Sequence, residues 1–155
     1  MRTRSWISAA CGLMMTVVGC GGGQDRLTAS GYARAASSTC AHANRMLERV
    51  QIPTLSREHE AARAMTRTVA IARDMIHELR HLRPPEHWAG TVQRWIALLD
   101  QAADELELMA DHLRAERFDD AVEFGAKATI LFDRAEQLVA RLRVTSCRGP
   151  ELPIA

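Results

Sequence analysis

The chain has 155 residues, room for one domain or one domain with a tail. Hydrophobic residues make up 47% and charged residues 25%, which excludes an intrinsically disordered chain and a multispanning membrane protein. Lys and Arg number 20 against 19 Asp and Glu, for a net charge of +1, so the basic excess of a nucleic-acid-binding protein is missing; aromatics at 5% disfavour a β-sandwich and suit helices built from Ala, Leu and Met.

Arg2 and Arg4 make the start of the chain positive, and Trp6 to Val18 then run without a charge. That run has the length of a signal-peptide core and is short for a spanning helix, which disfavours an uncleaved N-terminal membrane anchor. Val17-Val18-Gly19-Cys20 follows and resembles the bacterial lipobox. The resemblance implies a diacylglycerol on the Cys20 thiol, cleavage before Cys20 and acylation of the new N-terminus, with fatty acids such as palmitate as the anchor. Residues 1–19 are then a lipoprotein signal peptide, and residues 20–27 are the lipidated Cys and a flexible Gly-rich tether. As a coil, the eight residues to Thr28 span about 15 Å and hold the domain near the bilayer. Several acyl chains anchor far more firmly than one.

Of the four cysteines, Cys11 leaves with the signal and Cys20 takes the lipid. Cys40 and Cys147 remain as an even pair in an exported chain, and a structural disulfide is expected. Neither has a second Cys or His at the CxxC-type spacing of a paired-Cys metal site.

Prolines stand at 53, 84, 85, 150 and 153, leaving 54–83 and 86–149 uninterrupted. Four apolar stripes with helical spacing follow. They run Tyr32-Ala36-Cys40-Ala43-Leu47-Val50, then Ala62-Met65-Val69-Ala72-Ile76-Leu79. The third is Trp88-Val92-Trp95-Leu99-Ala102-Leu106-Met109-Leu113, and the fourth Ala121-Phe124-Ala128-Leu131-Ala135-Leu138-Leu142. Thr28 is the expected cap of the first helix and Thr54 or Ser56 of the second. Pro85 is expected in the first turn of the third, and Asp120 with Glu123 forms a capping box for the fourth. Short links force antiparallel neighbours, so the predicted fold is an all-α, up-down-up-down four-helix bundle over residues 28–148, with a tail at 149–155. That topology puts the start of the first helix beside the end of the last, where Cys40 and Cys147 lie.

The mature region also resembles a loosely defined group of high-GC, actinobacterial-type lipoproteins. The shared features are Leu27-Thr28 and Tyr32, Cys40-Ala41, Ala43-Asn44, Leu79-Arg80 before Leu82-Arg83-Pro84-Pro85, and a Cys past the last helix. The resemblance implies a small helical lipoprotein and brings no catalytic residue.

One segment carries a sharper signature. His77-Glu78-Leu79-Arg80-His81 spells HExxH, which on a helix sets two imidazoles on one face for Zn²⁺, with Glu78 as general base. His87 stands where metzincin-like proteases place a third ligand. Against this, Pro84 replaces the glycine that lets such a chain turn to the metal, and Arg80 puts a charge where zincins carry an uncharged residue. With Ile76 and Leu79 facing the core, His77 and His81 point to solvent, where no cleft forms. The segment reads more simply as a solvated stripe before a helix stop, with Glu78 pairing with Arg73 or Arg83. Met46, Met65, Met75 and Met109 fit packing better than a copper or haem site, and there is no CxxCH, GxSxG or phosphate loop.

The sequence therefore predicts a non-enzymatic, lipid-anchored protein outside the cytoplasm, on the cell membrane or the outer membrane. Its expected partners are the membrane and an envelope protein, with no cofactor. The alternative is a zinc-binding protein or zinc hydrolase using His77, His81 and His87 with Glu78. Gly21 is not the Asp of an inner-membrane retention signal and favours outward sorting.

Overall fold

The computed structural model describes residues 26–51 and 58–147. The signal segment, Cys20 and its tether up to Asp25, the expected caps Thr54 and Ser56, and the tail from 149 lie outside the described residues, whereas Leu27, expected in the flexible tether, packs against the bundle. Four helices are present: α1 (Ala29–Leu47), α2 (Glu58–His81), α3 (Ala89–Arg114) and α4 (Phe118–Leu142). A short 3-10 turn, Glu86–Trp88, precedes α3, and no strand occurs among the described residues. The fold is the expected four-helix bundle.

Local chemistry sets the helix limits. Thr28 caps α1, its Oγ1 accepting the Gly31 N–H at 3.1 Å. The helix stops at Leu47, one turn short of the predicted stripe, as Arg49 and Val50 close onto Met46 and Leu47 with tighter i to i+3 bonds. Pro85 is extended (ψ 151°) and caps the 3-10 turn, so it lies outside α3 and not in its first turn.

The capping box at Asp120 is not formed. The chain reverses earlier, at Glu116 (φ 56°), where the Arg117 N–H donates to the His112 carbonyl at 2.9 Å. Helix α4 therefore begins at Phe118, with Arg117 at its cap position and no side-chain cap. Asp119 and Asp120 fall inside the first turn, where their charge suits the helix dipole.

Two buried clusters show how the helices run. One joins Tyr32, Ala36 and Cys40 of α1 to Ile76 and Leu79 of α2, Val92, Trp95 and Leu99 of α3, and Val139 and Leu142 of α4. The other joins Ala61 and Met65 to Leu106, Leu113, Ala121 and Ala128, and contains no residue of α1. The start of α1 thus lies with the end of α2, the start of α3 and the end of α4, as up-down-up-down order requires. A bond from Leu27 N–H to the Arg83 carbonyl at 2.9 Å fastens the same end. With 19 residues, about 28 Å, α1 roofs only this half, and the far half is a three-helix core.

Most stripe positions are buried: Trp95, Leu79 and Leu106 are fully enclosed, and such side chains each contribute roughly 1.5–3 kcal/mol. In α4 the stripe differs. Gly125 and Val139 are buried, whereas Phe124, Leu131 and Leu138 are only half-buried, so the seam runs 121, 125, 128, 135, 139, 142. Its small residues let α4 approach α3 closely. Both clusters and the Cys40–Cys147 link lie within residues 27–147.

Candidate functional site

Beyond α4 the chain doubles back along α1. Arg143 adopts the left-handed conformation (φ 55°, ψ 30°), which ends the helix and turns the chain off its axis. Val144 is buried, the Thr145 N–H donates to Ser37 Oγ at 3.1 Å, and Asn44 Nδ2 donates to the Ser146 carbonyl at 2.8 Å. Between these bonds Cys147 meets Cys40, with their sulfurs at bonding distance and their Cα atoms 5.0 Å apart. Cys40 is fully buried, on the core side of α1 as its stripe position predicts. A strap over residues 144–147 thus closes the bundle.

His77 and His81 share one exposed face of α2. Their Nε2 atoms lie 3.1 Å apart, one ring nitrogen donating to the other, and the rings meet edge to face with centroids 4.6 Å apart. Both are exposed, as the stripe predicts, and so is Glu78. His87 stands on the 3-10 turn against Trp88, at 5.6 Å between centroids. Contrary to the expectation that no cleft forms there, an open groove of about 320 Å³ between α1 and α2 is lined by His42, Asp74, His77 and Glu78, a grouping the sequence reading missed. Among the described residues no three His, Cys, Asp or Glu side chains are close enough together to hold a metal ion, so His77, His81, Glu78 and His87 do not form the zinc set of the alternative.

Arg73 does not serve Glu78. It faces α3 and spans three acids one turn apart, contacting Asp104 most closely, with Asp100 at 3.5 Å and Glu107 at 3.4 Å. Its pKa is raised, chiefly by the hydrogen bond to Asp104. Arg80, two turns on, also bonds Asp100. The spacing of Arg73 and Arg80 presents both to α3, so part of the mixed charge pattern is a clasp between helices.

Beneath the end of α1 lies an apolar slot lined by Ala43, Leu47, Ala72, Met75 and Phe132. Its room, about 30 Å³, is near that of one water molecule. A much wider groove, about 1010 Å³, opens between the start of α1 and the end of α4. Arg34, Arg141 and Arg143 line it together with the hydroxyls of Thr28, Ser30, Ser37 and Thr145, and Trp88 borders it. Tyr32 lies behind Trp88, ring to ring at 6.3 Å. Burial pushes its phenol up to about 12.

No family model, curated protein or solved structure matches this chain. Among the described residues, no helix is long and apolar enough to cross a membrane.

Proposed function

We propose that this chain is a lipid-anchored, extracytoplasmic helical bundle with a non-catalytic role, binding an envelope partner or supporting envelope structure. The observation that carries the proposal is the Cys40–Cys147 pair at bonding distance. Structural disulfides belong to oxidising compartments and are rare in the cytosol, which agrees with the signal-like start and the lipobox at Cys20. The pair also lies in the same half of the bundle as Thr28, where the tether enters.

The zinc-hydrolase alternative has less support. It needs a cleft and converging ligands: His77 and Glu78 do border the groove between α1 and α2, but among the described residues no three ligating side chains converge on one point.

The test is Cys20→Ala expressed in a bacterium that processes lipoproteins. The variant is expected to leave the detergent phase or to accumulate as unprocessed precursor. Unchanged membrane partitioning with normal processing would overturn the anchor.

A further inference from the structure

The near-neutral composition conceals a separation of charge along the bundle. The up-down order gathers seven exposed arginines, Arg26, Arg34, Arg80, Arg83, Arg94, Arg141 and Arg143, at the end where α1 begins, and of these Arg80 is paired with Asp100. Glu78, Glu86 and Glu136 are the exposed carboxylates nearest that end. The opposite end carries Glu60, Asp111, Glu116, Asp119, Asp120 and Glu123. Its cations are Arg63, Arg67, Arg114, Arg117 and Lys127, and of these Arg114 is paired with Asp111 and Lys127 with Glu123. The molecule is thus basic at one end and acidic at the other.

The basic end also has a shaped surface. Arg34, Arg141 and Arg143 come from two helices and a helix stop to line one groove with four hydroxyls, and none of the three has a carboxylate partner among the described residues. Guanidinium groups bind phosphate oxygens through a planar fork of N–H donors, and hydroxyls extend such a site. Trp88, half-buried at its edge, has an amphipathic ring of the kind that settles at headgroup level.

We propose that this end of the bundle docks on an anionic phospholipid surface, with Arg34, Arg141 and Arg143 binding headgroup phosphates. The proposal extends the anchored reading, since the tether enters at Thr28 on the same end, but its chemistry does not require the lipid on Cys20. The acidic end would then face away from the bilayer, and the bundle would stand upright on the membrane.

The test uses the chain from residue 20 onward with Cys20→Ala, which carries no lipid, with vesicles of phosphatidylglycerol or of phosphatidylcholine. Binding to phosphatidylglycerol alone, weakening with added salt, is expected. The triple variant Arg34→Gln/Arg141→Gln/Arg143→Gln should lose about a hundredfold in affinity, from the usual contribution of an arginine near an anionic surface. Circular dichroism checks that it is folded, and Arg63→Gln/Arg117→Gln at the acidic end should bind as the parent does.

Equal binding to both lipids, or equal losses from the two sets of variants, would overturn the proposal. So would binding of inorganic phosphate in the groove without vesicle binding, which would make it a site for a free phosphate compound. Because this chain is unlipidated, failure here leaves the Cys20 anchor standing, and failure of the Cys20→Ala partitioning experiment leaves the docking surface standing.

Discussion

Asn44 stands one turn beyond Cys40 on α1 and donates to the carbonyl of Ser146, the residue before Cys147, at 2.8 Å. With the Ser37–Thr145 bond one turn earlier, the strap is held on both sides of the cysteine link. The link closes a sequence separation of 107 residues, and in the chain-entropy model its removal costs up to about 4–5 kcal/mol.

Reduction of the pair should therefore lower the urea midpoint, while the flanking bonds still hold the strap in the native state. Asn44→Ala should cost about 1 kcal/mol in oxidised protein. Amide exchange should quicken first in α1, which belongs to only one of the two cores. An unchanged midpoint after reduction, with both thiols shown free, would remove the stabilising role of the link.

Core and surface separate along α3. Leu99 is buried in the half roofed by α1, and Leu99→Ala should cost roughly 2–5 kcal/mol. Arg94, exposed and, among the described residues, bonded only to the Gly90 carbonyl of its own helix at 3.3 Å, should cost under about 0.5 kcal/mol as Ala. Denaturation midpoints of the two variants check this, and equal losses would contradict the assignment of faces.

Much of this fold is legible in residue spacing. The stripes on α2 and α3 mark buried side chains because large apolar residues recur there at helical intervals, and Thr28 before its helix signals a cap. On α4 spacing alone misleads. Phe124 reads as core by its type, but the buried seam takes Gly125, whose missing side chain gives no apolar signal. Asp120 misleads in the same way, since a capping box is a local pattern whereas the turn at Glu116 depends on the meeting of α3 and α4. The basic groove cannot be read from the chain at all. Arg34 is more than a hundred residues before Arg141 and Arg143, and their charge is cancelled in the total by acids that the fold sends to the other end.

Arg143 gives a way to separate stability from binding. Its left-handed backbone (φ 55°) is costly for a residue with a Cβ and free of cost for glycine. Arg143→Gly should therefore gain about 0.5–1 kcal/mol in stability while weakening attachment to anionic vesicles. Arg143→Gln, which keeps the Cβ, should weaken attachment without that gain. Thermal melts run beside vesicle sedimentation would show the two effects, and a destabilised glycine variant would contradict the role given to this helix stop.

Tyr32 is the only tyrosine, so its ionisation can be followed by ultraviolet absorbance without overlap. Its ring is fully buried and its hydroxyl has no hydrogen-bond partner among the described residues. Burial disfavours the phenolate and raises the pKa from 10.0 to about 12 in the folded chain. Between these values the unfolded chain has lost the phenolic proton and the native chain retains it. The native state thus binds more protons, and stability must fall as pH rises through that interval. The contribution is complete below pH 10.0 and is lost as pH approaches about 12. Tyr32→Phe should abolish this part of the alkaline loss and change stability near neutral pH by little, because the hydroxyl it removes makes no bond to the described protein. A phenol titrating near 10.0 in folded protein, or a Phe variant with the same alkaline loss as the parent, would show that the ring is not enclosed behind Trp88.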